Sequence, residues 1–120
     1  MAAHVLVVED SVLISSALRI LLESNGYEVS VAGTAAEAME AAAAKRPDVM
    51  LLDLTLPDRD GLSLLVELAS RDAAPLATLA MTGHDDDITR ARCLAAGCSD
   101  ILVKPVPVRD LLRIIGERLT

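Results

Sequence analysis

Val5-Leu6-Val7-Val8-Glu9-Asp10 is an unbroken apolar run that stops on two acids. A run this short and rich in valine reads as a strand buried on both faces, the pattern of a parallel sheet covered by helices. The pattern recurs twice. Val49-Met50-Leu51-Leu52 stops on Asp53, and Ile101-Leu102-Val103 stops on Lys104, with Pro105 next. In an open parallel sheet, ligands bind outside the carboxyl ends of the strands. Each of these charged groups therefore falls where a site is expected.

The stretches between these runs supply the other elements. Ser11 is placed to cap a helix running to about Ser24, with Asn25-Gly26 as its stop. Tyr27 to Ala32 alternates apolar and polar residues, as a strand nearer the sheet edge does. Thr34 caps a second helix that ends before Pro47, and its Ala41–Ala44 run suits close packing on the sheet. A loop with Pro57 and Asp60-Gly61 leads into a helix from Gly61 to about Ser70. Leu76 to Met81 is the fourth strand, and Asp85 to Ala96 is a helix that Gly97 stops. Asp86 and Asp87 fall in its first turn, where the helix dipole favours negative charge, so the acidic triplet reads as capping. Pro107 suits the first turn of a last helix ending near Leu119.

The result is five βα units with short connections. Right-handed crossovers turn these into a parallel sheet with helices on both faces. The expected fold is α/β, a flavodoxin-like doubly wound five-stranded sheet in the order 2-1-3-4-5, with residues 1–120 forming one domain. That order makes the first and third strands neighbours at the topological switch point.

Composition narrows the function. The apolar fraction is 52% of 120 residues, yet Tyr27 is the sole aromatic, so the core is aliphatic. A net charge of −7 argues against direct nucleic-acid binding. Cys93 and Cys98 lack a metal or redox spacing and read as reduced packing thiols. No apolar run approaches the roughly 18 residues of a membrane span, and the start lacks the pattern of a secretion signal. A cytoplasmic protein with no membrane insertion is expected.

With strands one and three adjacent, Glu9, Asp10 and Asp53 become clustered carboxylates. Like charges that close raise one another's pKa unless a cation intervenes. A small set of oxygen ligands suits Mg²⁺, which retains waters and favours phosphate oxygens.

Glu9-Asp10, Asp53 with Pro57 and Gly61 downstream, Thr82-Gly83 and Lys104-Pro105 together resemble the receiver domain of two-component response regulators, over nearly the whole chain. The resemblance implies a signalling phosphoacceptor rather than a turnover enzyme, one that resets by slow self-hydrolysis. Asp53 would take a phosphoryl group from phosphohistidine. Asp10 would bind Mg²⁺ directly, Glu9 mainly through water, and Thr55 through its backbone carbonyl. Lys104 would pair with a phosphoryl oxygen, and Thr82 would donate its hydroxyl after transfer. Thr55 and His84 would tune attack by water on the acyl phosphate, and the bond before Pro105 would be cis. The implied partners are a sensor histidine kinase or a histidine phosphotransfer protein.

Two departures matter. Ile101 and Val106 stand where receivers commonly carry aromatics, which weakens the expectation of an aromatic readout and of dimers through the fourth and fifth helices. A monomer or weak dimer is expected, and a phosphorelay or hybrid-kinase receiver is slightly favoured over a stand-alone regulator or a piece of a transcription factor. The first helix carries more apolar residues than one core-facing stripe needs. By analogy Leu13, Ile14 and Ala17 would dock the partner's helix, against the alternative of extra sheet contact.

Two other functions compete. An aspartyl-phosphate phosphohydrolase would want a second acid two residues after its nucleophile, where this chain has Thr55. A pseudo-receiver would not need the full set of acids, threonine and lysine.

Overall fold

The structure, a computed structural model, describes residues 2–84 and 86–120. Strands β1 (His4–Val8), β2 (Glu28–Ala32), β3 (Val49–Asp53), β4 (Ala77–Thr82) and β5 (Asp100–Val103) alternate with helices α1 (Val12–Ser24), α2 (Ala35–Ala44), α3 (Gly61–Ser70), α4 (Asp87–Ala96) and α5 (Val108–Arg118). The strands form one parallel sheet in the order β2-β1-β3-β4-β5, as expected.

Side chains alternate across a strand, so each strand feeds two cores. Leu6, Val8, Met50, Leu52 and Ala80 face α2, α3 and α4, where Ala35, Ala38, Leu65, Leu68 and Cys93 meet them. Val5, Val7, Leu51, Leu79 and Leu102 face the other way, onto Leu22 of α1 and Leu111 and Ile115 of α5. The small residues of α2 let that helix lie close to the sheet. All of β1 and β3 is buried, which is why their sequences are continuous apolar runs.

Local chemistry starts the helices where the sequence places them, with small shifts. Ser11 accepts from the Ile14 amide and Thr34 from that of Glu37. Asp86 accepts from the Thr89 amide and is the cap itself, so α4 begins at Asp87; Asp85, the expected first residue, lies outside the described residues. Gly97 ends α4 at φ +99°, a left-handed conformation that glycine adopts without a Cβ penalty. Pro107 is the extended residue before α5 rather than part of its first turn. Strand β4 starts one residue late, because Leu76 points to solvent at 69% exposure. Strand β2 starts at Glu28, with Tyr27 packed beside the α1/α5 core.

Candidate functional site

The register sets the site. Val8 lies level with Leu52, so Glu9 and Asp53 leave the sheet side by side. Asp53 is level with Met81 and Thr82 with Val103, which carries Thr82 and Lys104 to the same edge. Carboxylate oxygens of Glu9, Asp10 and Asp53 all lie within 4.8 Å of one another. Glu9 and Asp53 are buried, and Asp10 is exposed.

Both oxygens of Asp53 are held. Oδ1 accepts from the Thr55 amide at 2.9 Å, and Oδ2 accepts from Lys104 Nζ at 3.1 Å. The ammonium is also 3.6 Å from Glu9 Oε2, too far for a hydrogen bond. Glu9 Oε1 accepts from the Ser11 amide, while Oε2 is buried without a hydrogen-bond partner. A buried carboxylate oxygen without a hydrogen bond is costly, and the residue that carries it clusters with the other two acids.

Burial pushes the Glu9 carboxyl above its ordinary pKa; the Ser11 amide opposes the shift, and the nearby Asp53 charge adds to it. Burial also acts to lower the Lys104 amine, but the hydrogen bond and charge of Asp53, with Glu9 behind it, outweigh that and hold its pKa above the usual lysine value. The site is thus two buried acids and one exposed acid with a single ammonium among them. The clustered carboxylates of Glu9, Asp10 and Asp53, with a buried oxygen that has no hydrogen bond, are an all-oxygen donor set that fits a small hard dication such as Mg²⁺.

Thr82 is buried at the rim. Its hydroxyl accepts from the His84 amide at 3.0 Å, so at rest it is tied to the β4–α4 loop. The His84 and Thr55 side chains are exposed beside it. The Lys104-Pro105 bond is cis.

Helix α1 settles one alternative. Leu13 is 82% exposed, and Val12, Ile14 and Ala17 are exposed too, so these residues do not add sheet contact. Ile14 also lines an apolar cleft of about 400 Å³ between α1 and α5, together with Leu18, Val106 and Val108, and Glu9 and Lys104 border it. Ile101 is half-buried and packs inward against the α2/α3/α4 core. Cys93 and Cys98 are buried free thiols; desolvation, with Cys93 beside it, pushes Cys98 up to about 12.

Sequence reasoning missed the residues that hold the β3–α3 loop. Asp60 caps α3 by accepting from the Leu62 amide and also pairs with Arg92 of α4. An acid before an apolar helical run is a legible cap signal. Asp58 reaches the start of α2, 23 residues away, and local sequence gives no hint of that.

The sequence profile of the response regulator receiver domain matches residues 5–116. Over 113 residues the chain is 39% identical to the transcriptional regulatory protein PdtaR of Mycobacterium tuberculosis, covering 93% of this chain and 54% of that protein. It spans about half the length of the curated relatives it matches. Among solved structures, a CheY-like receiver domain protein from Methanospirillum hungatei superposes with a TM-score of 0.91 at 32% identity, covering 99% of this chain and 94% of that one. The chemotaxis protein CheY4 of Vibrio cholerae superposes at 0.92 with 27% identity and 98% coverage of both.

Proposed function

The chain belongs to the receiver domain family of two-component response regulators, and on that premise we propose that Asp53 is its phosphoacceptor. An Asp53 oxygen attacks the phosphorus of a phosphohistidine in line. The new O–P bond forms as the P–N bond breaks, and the electron pair leaves with the imidazole nitrogen. Lys104, already on Asp53 Oδ2, neutralises charge on the phosphoryl oxygens in a loose transition state. The Thr55 amide on Oδ1 fixes the carboxylate's orientation. When bound, Mg²⁺ supplies charge neutralisation and a template for phosphoryl oxygens. Glu9, Asp10, Asp53 and the Thr55 carbonyl are the residues that would hold it.

After transfer, the Thr82 hydroxyl donates to a phosphoryl oxygen in place of the His84 carbonyl. Roughly two added negative charges then bias the β4–α4 loop toward a second state. Thr55 and His84 flank the path of an attacking water and set how long the acyl phosphate lasts. Leu13, Ile14 and Ala17, with the apolar cleft that Ile14 lines, receive the helix of a sensor histidine kinase or phosphotransfer protein. The domain works in the cytoplasm without touching nucleic acid. Any DNA-directed output belongs to a longer protein, a reading that the half-length match to transcriptional regulators supports.

The convergence of three carboxylates and one lysine at neighbouring strand ends carries this reading. The test is labelling by acetyl phosphate with Mg²⁺, followed by intact mass. One hydroxylamine-labile phosphate is expected on the parent and none on Asp53→Asn. An unlabelled parent would refute the proposal, and sustained release of phosphate from small monoesters would favour a phosphohydrolase.

A further inference from the structure

The loop between β3 and α3, residues 54–60, carries Thr55 and is tied down at several points. The Leu54 amide donates to the Met81 carbonyl, and the Gly61 amide donates to that of Leu54. A Cβ at Gly61 would lie 2.7 Å from the Asp53 carbonyl oxygen, so α3 starts in backbone contact with the end of β3. Thr55 and Asp60 pair as an isolated antiparallel bridge, which closes the loop into a small ring. Asp58 sits at the tip of that ring.

Asp58 grips a different helix with both oxygens. Oδ1 accepts from the Ala35 amide at 2.9 Å and Oδ2 from the Ala36 amide at 3.1 Å. These are first-turn amides of α2, which lack partners within the helix. Helix α2 does not need Asp58 for capping: Thr34 takes the Glu37 amide, and Glu37 returns to the Gly33 amide. Ala36 is exposed, whereas Ala35 is buried in the α2/α3/α4 core, so Asp58 reaches from the surface to the buried side of the helix start. The contact ties the tip of the loop to a helix that is itself anchored in the core. It also spans the end of β1, since β1 lies between β2 and β3.

We propose that Asp58 is a positioning residue for the divalent ion. By pinning the ring's tip to α2, it fixes the Thr55 carbonyl and amide relative to Asp53 before any ion arrives. Without that grip the ring must be ordered at the moment of binding, which weakens affinity. Outer partners of metal ligands commonly contribute 10- to 100-fold in affinity. The inference rests on the metal-binding reading above.

The full chain with Asp58→Ala and Asp58→Asn is titrated with MgCl₂ by isothermal calorimetry, beside amide hydrogen exchange of residues 54–60 without metal. Asp58→Ala is expected to weaken Mg²⁺ binding about 10-fold and to speed exchange in the loop. Asp58→Asn, which accepts one of the two amides, should fall between. Labelling by acetyl phosphate should slow at low Mg²⁺ and recover at saturating Mg²⁺, a pattern that a general loss of stability would not give. The Asn variant carries the test if the Ala variant does not fold. Parent and variants binding Mg²⁺ within twofold of each other would overturn the role of Asp58 alone. A parent that binds no Mg²⁺ would overturn the metal reading and this inference with it.

Discussion

The two edges of this sheet use the same kinds of side chain to opposite ends. At the amino-terminal edge, charges and hydroxyls are matched. The His4 amide donates to Asp48, His4 Nε2 meets Ser30 Oγ at 2.7 Å, Lys45 pairs with Glu28 and Arg118 with Asp100. Apart from His4 Nδ1, the polar groups just named are answered by a neighbour. At the carboxyl-terminal edge, three acids cluster, two of them beside one lysine, and Glu9 Oε2 has no hydrogen-bond partner. The first edge spends its polar groups on joining strand starts. The second holds an imbalance that a cation and a phosphoryl group would relieve. Parallel topology makes this division possible, because every strand ends at one side and every helix returns to the other.

The largest effect should come from worsening the imbalance. Lys104→Met removes the only cation within reach of Asp53 among the described residues, and groups that stabilise developing charge are worth 100-fold or more. The rate of labelling by acetyl phosphate is expected to fall about 100-fold, measured by mass spectrometry over time. A fall of less than threefold would mean that the lysine does not act on the phosphoryl group. The mirror experiment is at the other edge. Asp48→Ala leaves the amide of buried His4 unsatisfied, at a cost of about 1–3 kcal/mol in urea denaturation, while Mg²⁺ affinity should stay within twofold. A loss of Mg²⁺ affinity there would dissolve the distinction between the edges.

The functional edge was far more legible in the sequence than the structural one. Glu9, Asp53 and Lys104 each follow an apolar run, and strand order alone brings them together, so the cluster needs no tertiary detail to foresee. The same holds for Ser11, Thr34 and Gly97, whose capping roles are local. Pairings such as His4 with Asp48, or Asp58 with Ala35, join residues far apart in the chain through surface loops. No periodicity encodes them. Asp60 lies between these cases: its cap is local, but its contact with Arg92 depends on how α3 and α4 pack. The exposure of Leu13 and Ile14 was ambiguous for another reason. An apolar helix face looks the same in sequence whether it meets the sheet or a partner.

That ambiguity gives the next prediction. Leu13→Asp places a charge on the exposed face of α1 without disturbing the core. Transfer from a phosphohistidine-bearing protein should slow about 10-fold, roughly 1.4 kcal/mol, while labelling by acetyl phosphate, which needs no docking, should not change. Equal slowing with both donors would move Leu13 from docking into the chemistry.

The smallest effect tests the imbalance without any phosphoryl group. In the metal-free protein the Glu9 carboxyl lies above its ordinary pKa of 4.5, chiefly through burial, so the folded state binds its proton more tightly than the unfolded chain does. Stability from this group is therefore complete below pH 4.5 and is lost as pH rises through the folded value. Glu9→Gln keeps the volume, keeps an acceptor for the Ser11 amide, and carries no charge. At pH 7 without metal it should be more stable than the parent, and the gap should close on acidification toward the carboxylate range. Adding Mg²⁺ should reverse the order, since an ion that binds the folded state stabilises it in proportion to affinity, and the variant has lost a ligand. Thermal melts at several pH values, with and without Mg²⁺, measure both signs. A gap that ignores pH would show that folding leaves the proton affinity of Glu9 unchanged, and the carboxyl-terminal edge would then be no more imbalanced than the amino-terminal one.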